Sequence, residues 1–425
     1  MCGIYYSNHN TRFEDNGLRR RGPEAWHTVD TDLGHFAHSM LSTIGERTPQ
    51  PITTKQGTLL YNGSTYNQKN NDSRWIAENL DSDPGHCVEF IQTLIGEYAL
   101  VWNTEQFTVF CSDVFSIRPL YYWVDEHGIC VASLPEALKQ HPAQYRCEGN
   151  RIYIYHRATG QITVTENRRW DLTQTVDNYD NVFAQFEQAV SDRHTANNLY
   201  TVSAGYDSGA IACAVEKQFG SFKGAFVYPS GEDKQVLKQR AQRHRLKPVN
   251  FADSQQEFSH TEIGTILNGR NTETDNAYAT YGLSSMILQL MRPNNMKIMV
   301  IGSGGDEIYA DYGFGGKALE WHKTTGEPQQ CVTKFGGHFP INLELVWPWH
   351  NHSQYQSLFT EKHEAVGGYW GIEVRCPMLD TRVVQAWLNT THSLKNIEYK
   401  GWMAEYMRQH DYPFDASGKK TVFSY

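Results

Sequence analysis

From residue 1 to about 165 the apolar positions fall in short runs broken by turns. Thr58-Leu-Leu-Tyr-Asn62, Tyr98-Ala-Leu-Val-Trp102, Phe107-Thr-Val-Phe-Cys111, Gly128-Ile-Cys-Val-Ala132, Arg151-Ile-Tyr-Ile-Tyr155 and Gln161-Ile-Thr-Val-Thr165 each predict a strand. Short strands separated by turns predict a layered, mainly antiparallel α+β domain. The polar stretch from Glu166 to Thr175 reads as a linker. Beyond it, strand-like runs at Asn198–Val202, Gly224–Tyr228 and Lys297–Ile301 alternate with helical stretches near 180–192, 209–218 and 277–291. That alternation predicts an α/β doubly wound parallel sheet, whose ligands bind past the carboxyl ends of its strands.

At 425 residues the chain is expected to hold two domains, residues 1–170 and 171–425. Hydrophobic residues at 40% and charged residues at 20% suit a globular core, and a net charge of −9 gives no general basic field for nucleic acid or an anionic membrane. No apolar run reaches a membrane span and the first residues have no leader pattern, so a soluble cytoplasmic protein is expected. The eight cysteines are irregularly spaced, which disfavours a disulfide framework and a zinc site. Cys2 stands apart because of its place in the chain.

Two loops carry candidate chemistry. Ser203-Ala-Gly-Tyr-Asp-Ser208 follows one predicted strand and opens a helix, where small residues and helix N–H groups favour a phosphate. Asp207 beside phosphate calls for a hard cation such as Mg²⁺. Gly302-Ser-Gly-Gly-Asp-Glu307 follows a second strand, so Asp207 and Asp306 could share that ion. The bland reading of each loop is a capped strand-to-helix turn.

These residues resemble the asparagine synthetase family. Ser203–Ser208 is similar to the family's Ser-Gly-Gly-x-Asp-Ser pyrophosphate loop, with Ala204 at the first glycine and Gly209 following it. Gly302–Glu307 with Tyr312 resembles Ser-Gly-x-Gly-x-Asp-Glu-x-x-x-Gly-Tyr, with Ile301 in place of the serine. Gly371-Ile-Glu-Val-Arg-Cys-Pro-Met-Leu-Asp380 and Lys420-Thr-Val-Phe423 match two later elements. The resemblance implies an ATP-pyrophosphatase-type ligase that adenylates a carboxylate such as aspartate. Ser203, Ala204, Gly205, Asp207, Ser208, Gly302, Ser303, Gly304 and Asp306 would hold ATP, with Asp207 and Asp306 on Mg²⁺. Lys420 would neutralise the α-phosphate, and Glu373 would assist the nucleophile or hold the acyl substrate. Read alone, Glu373 and Arg375 could be an ion pair and Asp380 a cap or packing carboxylate.

At the other end, removal of Met1 would let the α-amine of Cys2 act as base for its own thiol. Cys2-Gly-Ile4, Arg21-Gly-Pro23, Tyr61-Asn-Gly63 and Asp113 in Asp-Val-Phe-Ser-Ile-Arg-Pro resemble the class II amidotransferase domain, an amino-terminal-nucleophile (Ntn) sandwich. The resemblance implies an oxyanion hole from Asn62 and Gly63 and makes Asp113 a candidate glutamine contact; Asp72, in Asn71-Asp-Ser-Arg-Trp75, could also meet the glutamine amino group. Two letters depart from it: Met40 replaces the arginine that grips the glutamine carboxylate, and Ser64 replaces a glutamate. Losing a charge-assisted contact costs roughly 1.5–3 kcal/mol, or about ten- to a hundredfold in affinity. Arg47 is a candidate replacement for the missing guanidinium.

The expected reaction is therefore amide formation from a carboxylate, with glutamine or ammonia as nitrogen donor, by an enzyme compatible with a homodimer. One alternative is a relative that closes a ring with an internal amine and has a vestigial glutaminase domain; another is a non-catalytic nucleotide-binding scaffold. The chain is compact for this resemblance, and residues 324–368 match no element of it.

Overall fold

The computed structural model describes residues 1–9, 14–68, 70–141, 144–228, 233–250, 274–318, 335–347 and 357–416. Two compact units emerge: Met1–Arg169 with His363–Glu373, and Trp170–Lys362 with Val374–Tyr425. The short return of residues 363–373 to the first unit has no counterpart in the hydrophobic pattern.

The first unit contains two six-stranded sheets. One has the order β10-β8-β9-β1-β3-β2, from β1 (Gly3–Ser7), β2 (Ala25–Thr31), β3 (Gly34–Met40), β8 (Tyr121–Asp125), β9 (Gly128–Ala132) and β10 (Tyr145–Arg146). The other has the order β12-β11-β7-β6-β5-β4, from β4 (Ile52–Thr53), β5 (Thr58–Thr65), β6 (Gly96–Asn103), β7 (Phe107–Ser112), β11 (Arg151–His156) and β12 (Gln161–Glu166). All their described pairings are antiparallel. Period-two alternation assigns each face. Ile4, Tyr6, Phe36, Ile129 and Val131 of the first sheet meet Leu60, Val101 and Phe110 of the second in one buried layer. The opposite face of β5, Leu59 and Tyr61, packs under Ile76, Ala77 and Leu80 of the helix Asp72–Ser82. Tyr5, Ala37 and Ala132 on the back of the first sheet pack against Leu18 and Leu138. The result is helix, sheet, sheet and short helical segments in layers.

The second unit is built on a five-stranded sheet, β15-β14-β13-β16-β19, from β13 (Asn198–Thr201), β14 (Lys223–Tyr228), β15 (Lys247–Asn250), β16 (Ile298–Val300) and β19 (Glu373–Arg375). The described pairings among β13, β14, β15 and β16 are parallel. A small hairpin, β17 (Gly313–Phe314) and β18 (Lys317–Ala318), lies apart from it. Helices Asp180–Arg193 and Gly401–Gln409 join through aromatic contacts such as Phe186 with Trp402, 5.0 Å between centroids, and Lys217 of the helix Tyr206–Phe219 lies 5.8 Å from the Tyr406 ring. The stretch 167–175 has no regular structure, and Asp171 and Thr175 bond to Gln385 and Asn389. The helix expected near 277–291 spans Thr274–Met286 and passes into a wider turn at Ile287–Met291.

Candidate active sites

In the first unit, Cys2 sits immediately before β1. Gly3 pairs with Ser39 and Ile4 with His38, so the same register sets Cys2 opposite Met40. The Leu41 amide lies 3.4 Å from the Cys2 sulfur, which is also 3.7 Å from the Leu41 carbonyl. Burial pushes the thiol up, and pushes the Met1 α-amine down to about 5.

Asn62 follows Leu60 on the inner face of β5. Both atoms of its amide are buried without a hydrogen-bond partner. A buried orphaned amide is costly, and such groups mark places where a ligand completes the bonding. Gly63 adopts φ +133°, where a Cβ would fall 2.0 Å from the Glu97 carbonyl oxygen, so only glycine fits. His38, from the motif that carries Met40, is also buried with both ring nitrogens unpartnered, and burial pulls it down to about 3, leaving it neutral.

The carboxylates expected at glutamine are engaged locally. Asp113 accepts the backbone N–H groups of Phe115, Ile117 and Arg118 at 3.0, 3.1 and 2.9 Å, and burial still pushes it up to about 7. Asp72 accepts from Thr65 N at 3.1 Å and Ser73 N at 2.8 Å; burial pushes it up to about 6. Arg47 pairs with Glu24 at 2.9 Å and is largely exposed. The guanidinium that does reach Cys2 is Arg21, whose Nε donates to the Cys2 backbone carbonyl at 2.9 Å. Arg21 is buried and paired with Glu364, which also takes Arg118 at 2.9 Å. Its only sequence signal was the motif Arg21-Gly-Pro23.

Glu373 is held in this unit too. It accepts from Thr43 Oγ1 and Ser64 Oγ, each at 3.1 Å, while Arg375 donates to the Arg193 carbonyl at 3.2 Å. Ser64, where the resemblance expects a glutamate, therefore serves another carboxylate instead of adding one beside it.

In the second unit the helix Tyr206–Phe219 begins three residues earlier than the apolar pattern suggests, so Asp207 and Ser208 lie in its first turn. Ser203 Oγ accepts from Gly205 N at 3.1 Å, and Ser208 Oγ accepts from Ser203 N at 3.0 Å. The second loop packs directly on the first. A Cβ on Gly305 would lie 2.1 Å from Asp207 Oδ1, and one on Gly302 would lie 3.0 Å from Asp207 Cβ. Gly304 has φ +101°, with Leu379 filling the space that a side chain would need. Ser303 lies between them, half-buried.

These glycines bring Asp207 and Asp306 to one point, and that point is held by Lys400. Its ammonium lies 2.6 and 2.8 Å from the two Asp207 oxygens and 2.8 Å from Asp306 Oδ1. Tyr399 adds a hydrogen bond to Asp306 at 2.7 Å. Burial alone would lower the Lys400 pKa, but the two carboxylates more than offset it and hold it raised. The oxygen donors suit Mg²⁺. Here the same two carboxylates share the Lys400 ammonium. Among the described residues no group of three or more His, Cys, Asp or Glu is arranged to hold a metal. Asp380 is a cap and packing carboxylate: it accepts from Arg382 N at 3.0 Å and pairs with Arg193 at 2.8 Å. Lys420 lies outside the described residues.

Residues 1–167 match the glutamine amidotransferase domain family, and residues 181–410, more than half the chain, match the asparagine synthase family. Among curated proteins no sequence matches this chain. Solved structures similar to it include glutamine phosphoribosylpyrophosphate amidotransferase from B. subtilis, at 13% identity over 59% of this chain and 81% of that one, with a TM-score of 0.34. A glutamine aminotransferase class-II domain protein from Silicibacter pomeroyi is 11% identical over 39% of this chain and 98% of that one, with a TM-score of 0.25. Likenesses this distant carry no functional inference. The antiparallel layered unit and the parallel-sheet unit agree with the folds of the two matched families: an Ntn glutaminase sandwich and an α/β ATP-pyrophosphatase domain. No helix among the described residues is long and apolar enough to cross a membrane.

Proposed function

Given that the chain belongs to the asparagine synthase family, whose pairing here with a glutamine amidotransferase domain marks a glutamine-dependent amide-forming ligase, we propose that it adenylates aspartate with ATP and aminates it to asparagine. The observation that carries the ATP half is the convergence of two glycine-rich loops on Asp207 and Asp306 at one cation-holding point. The glutaminase half is supported by the orphaned Asn62 amide on β5, whose Leu60 packs in one layer with Ile4 of the strand that Cys2 precedes.

Met1 is removed in this reading, which transfers the free amine to Cys2 and vacates the buried space that Met1 fills. The amine takes the thiol proton, and sulfur attacks the glutamine amide carbon. The Asn62 amide and the Gly63 N–H receive the oxyanion, since preorganised donors in a dry site stabilise developing charge. Ammonia leaves, and water releases glutamate from the thioester. Asp72 and Asp113 are the proposed carboxylates toward the glutamine amino group.

In the other half, Ser203, Ala204, Gly205, Ser208, Gly302, Ser303 and Gly304 cradle the phosphates of ATP. The carboxylate oxygen attacks the α-phosphorus, pyrophosphate leaves, and ammonia then displaces AMP from the acyl carbon. Lys420 offsets charge on the α-phosphate, while Glu373 orients the amine nucleophile. Mg²⁺ would supply charge neutralisation on the pyrophosphate, but no step here is assigned to a metal between Asp207 and Asp306, where Lys400 stands.

A second reading, ring closure by an internal amine without glutamine, is favoured by one observation: Met40 stands beside Cys2 where a guanidinium would grip glutamine, and Arg47 is turned to Glu24. Pyrophosphate release over a panel of carboxylates, each with glutamine, ammonium or no donor, tests both. Release with aspartate and either donor supports the first; release with no donor supports the second.

A further inference from the structure

Gly209 and Arg240 form a pair that the phosphate-loop motif does not contain. Arg240, on the helix Lys234–His244, is fully buried. Its Nη1 donates to the carbonyls of Ser203 and Gly205, the latter at 2.8 Å, and its Nε donates to the Pro413 carbonyl at 2.9 Å. The Tyr412 ring lies 5.3 Å from the guanidinium carbon. A Cβ on Gly209 would fall 2.2 Å from Nη2 and 2.6 Å from Cζ of Arg240. Every other residue at position 209 would therefore push the guanidinium away from the loop.

The geometry of the peptide bond gives this contact a consequence. In a planar trans peptide the C=O and the following N–H point in opposite directions. Drawing the Ser203 and Gly205 oxygens onto Arg240 therefore aims the N–H groups of Ala204 and Tyr206 away from it. The Tyr206 N–H, in the first turn of the helix, is one that a phosphate at this helix start would meet. The planar fork of arginine can hold two carbonyls at once; the single-point ammonium of lysine does not reproduce that geometry.

We infer that Arg240 is a positioning residue for the pyrophosphate of a nucleoside triphosphate, setting the loop N–H groups and adding positive charge behind them, and that Gly209 is the gap that admits it. This rests on the ATP-dependent reading above. It also explains why a glycine follows Ser208 in the first turn of a helix, where it is otherwise unfavourable.

The test is calorimetric binding of Mg-ATP and of Mg-pyrophosphate to the full chain, wild type against R240K, G209A and G209A/R240K, with thermal melts and steady-state kinetics alongside. Each single variant is expected to weaken both ligands about tenfold or more, with the KM for ATP rising and that for the carboxylate unchanged. The double variant is expected to lose little beyond either single one, as coupled neighbours do. Lower melting temperatures with unchanged Kd values, or losses that add, would overturn the inference. Should the variants not fold, hydrogen exchange on the wild type decides: the Tyr206 amide is expected to slow on pyrophosphate binding, and unchanged exchange there overturns it. A wild type that binds no Mg-ATP refutes the ligase reading itself, whereas wild-type binding matched by the variants refutes only the role of Arg240.

Discussion

Replacing Lys400 by methionine probes the second unit at its most charged point. The methionine keeps much of the apolar stem and removes the ammonium that lies within 2.8 Å of both Asp207 and Asp306. Two carboxylates then face each other without their shared cation. Breaking a buried ion pair costs about 3–5 kcal/mol. Here the lysine side chain is 2% exposed but Asp207 is 19% and Asp306 13% exposed, which puts the expected loss at the lower end, about 3 kcal/mol. With a urea slope of about 2–3 kcal/mol/M, the unfolding midpoint should fall by about 1–1.5 M. The raised Lys400 pKa places this contribution fully below the unfolded value of about 10.4, and it is lost only as pH rises through the higher folded value, so neutral pH is a flat region for the measurement. The assay is urea unfolding followed by circular dichroism in metal-free buffer, repeated with millimolar Mg²⁺. Mg²⁺ should recover much of the midpoint in Lys400→Met and leave the nucleotide-free wild type nearly unchanged. An unshifted midpoint in the variant, or equal Mg²⁺ stabilisation of both proteins, would refute the reasoning.

Cys2→Ala is expected to lower glutamine-supported amide formation by about a thousandfold or more while sparing ammonium-supported turnover, read by pyrophosphate release with each donor. Gly63→Ala forces a Cβ to 2.0 Å from the Glu97 carbonyl at a positive φ, so a loss of about 2–4 kcal/mol in urea unfolding and of glutaminase activity is expected; near wild-type stability would mean that the strand relaxes freely there. Asp72 has a folded pKa raised to about 6 against an unfolded value of about 3.9, so the folded state holds the proton more tightly and stability falls as pH rises between those values. That slope corresponds to about 2–3 kcal/mol, and Asp72→Asn should flatten it in urea midpoints measured across pH 4–7.

The sequence made the strands legible where apolar residues alternate or run together, as at β5, β6, β7 and β11. β2 and β3 are harder to read because His27, His35, His38 and Ser39 interrupt the apolar rhythm, and their burial follows from pairing with β1. The two glycine-rich loops at Ser203–Ser208 and Gly302–Glu307 were legible because small residues gather there at strand ends. Lys400 was not, since a lysine 193 positions from Asp207 acquires meaning only when the chain folds. Arg240 was hidden in the same way, although Gly209 in the first turn of a helix was a local anomaly that pointed toward it. Glu373 was found by its motif, yet its partners Thr43 and Ser64 come from more than 300 positions earlier and could not be read from spacing.

The central claim is that this chain couples glutamine hydrolysis to amide formation on an activated carboxylate. The most direct measurement supplies amide-¹⁵N glutamine, Mg-ATP and aspartate to the full chain and follows pyrophosphate together with the nitrogen label. The account predicts ¹⁵N in the asparagine side-chain amide, with one AMP and one pyrophosphate formed per amide. Glutamate released without any ATP turnover, across aspartate and the wider carboxylate panel, would contradict it.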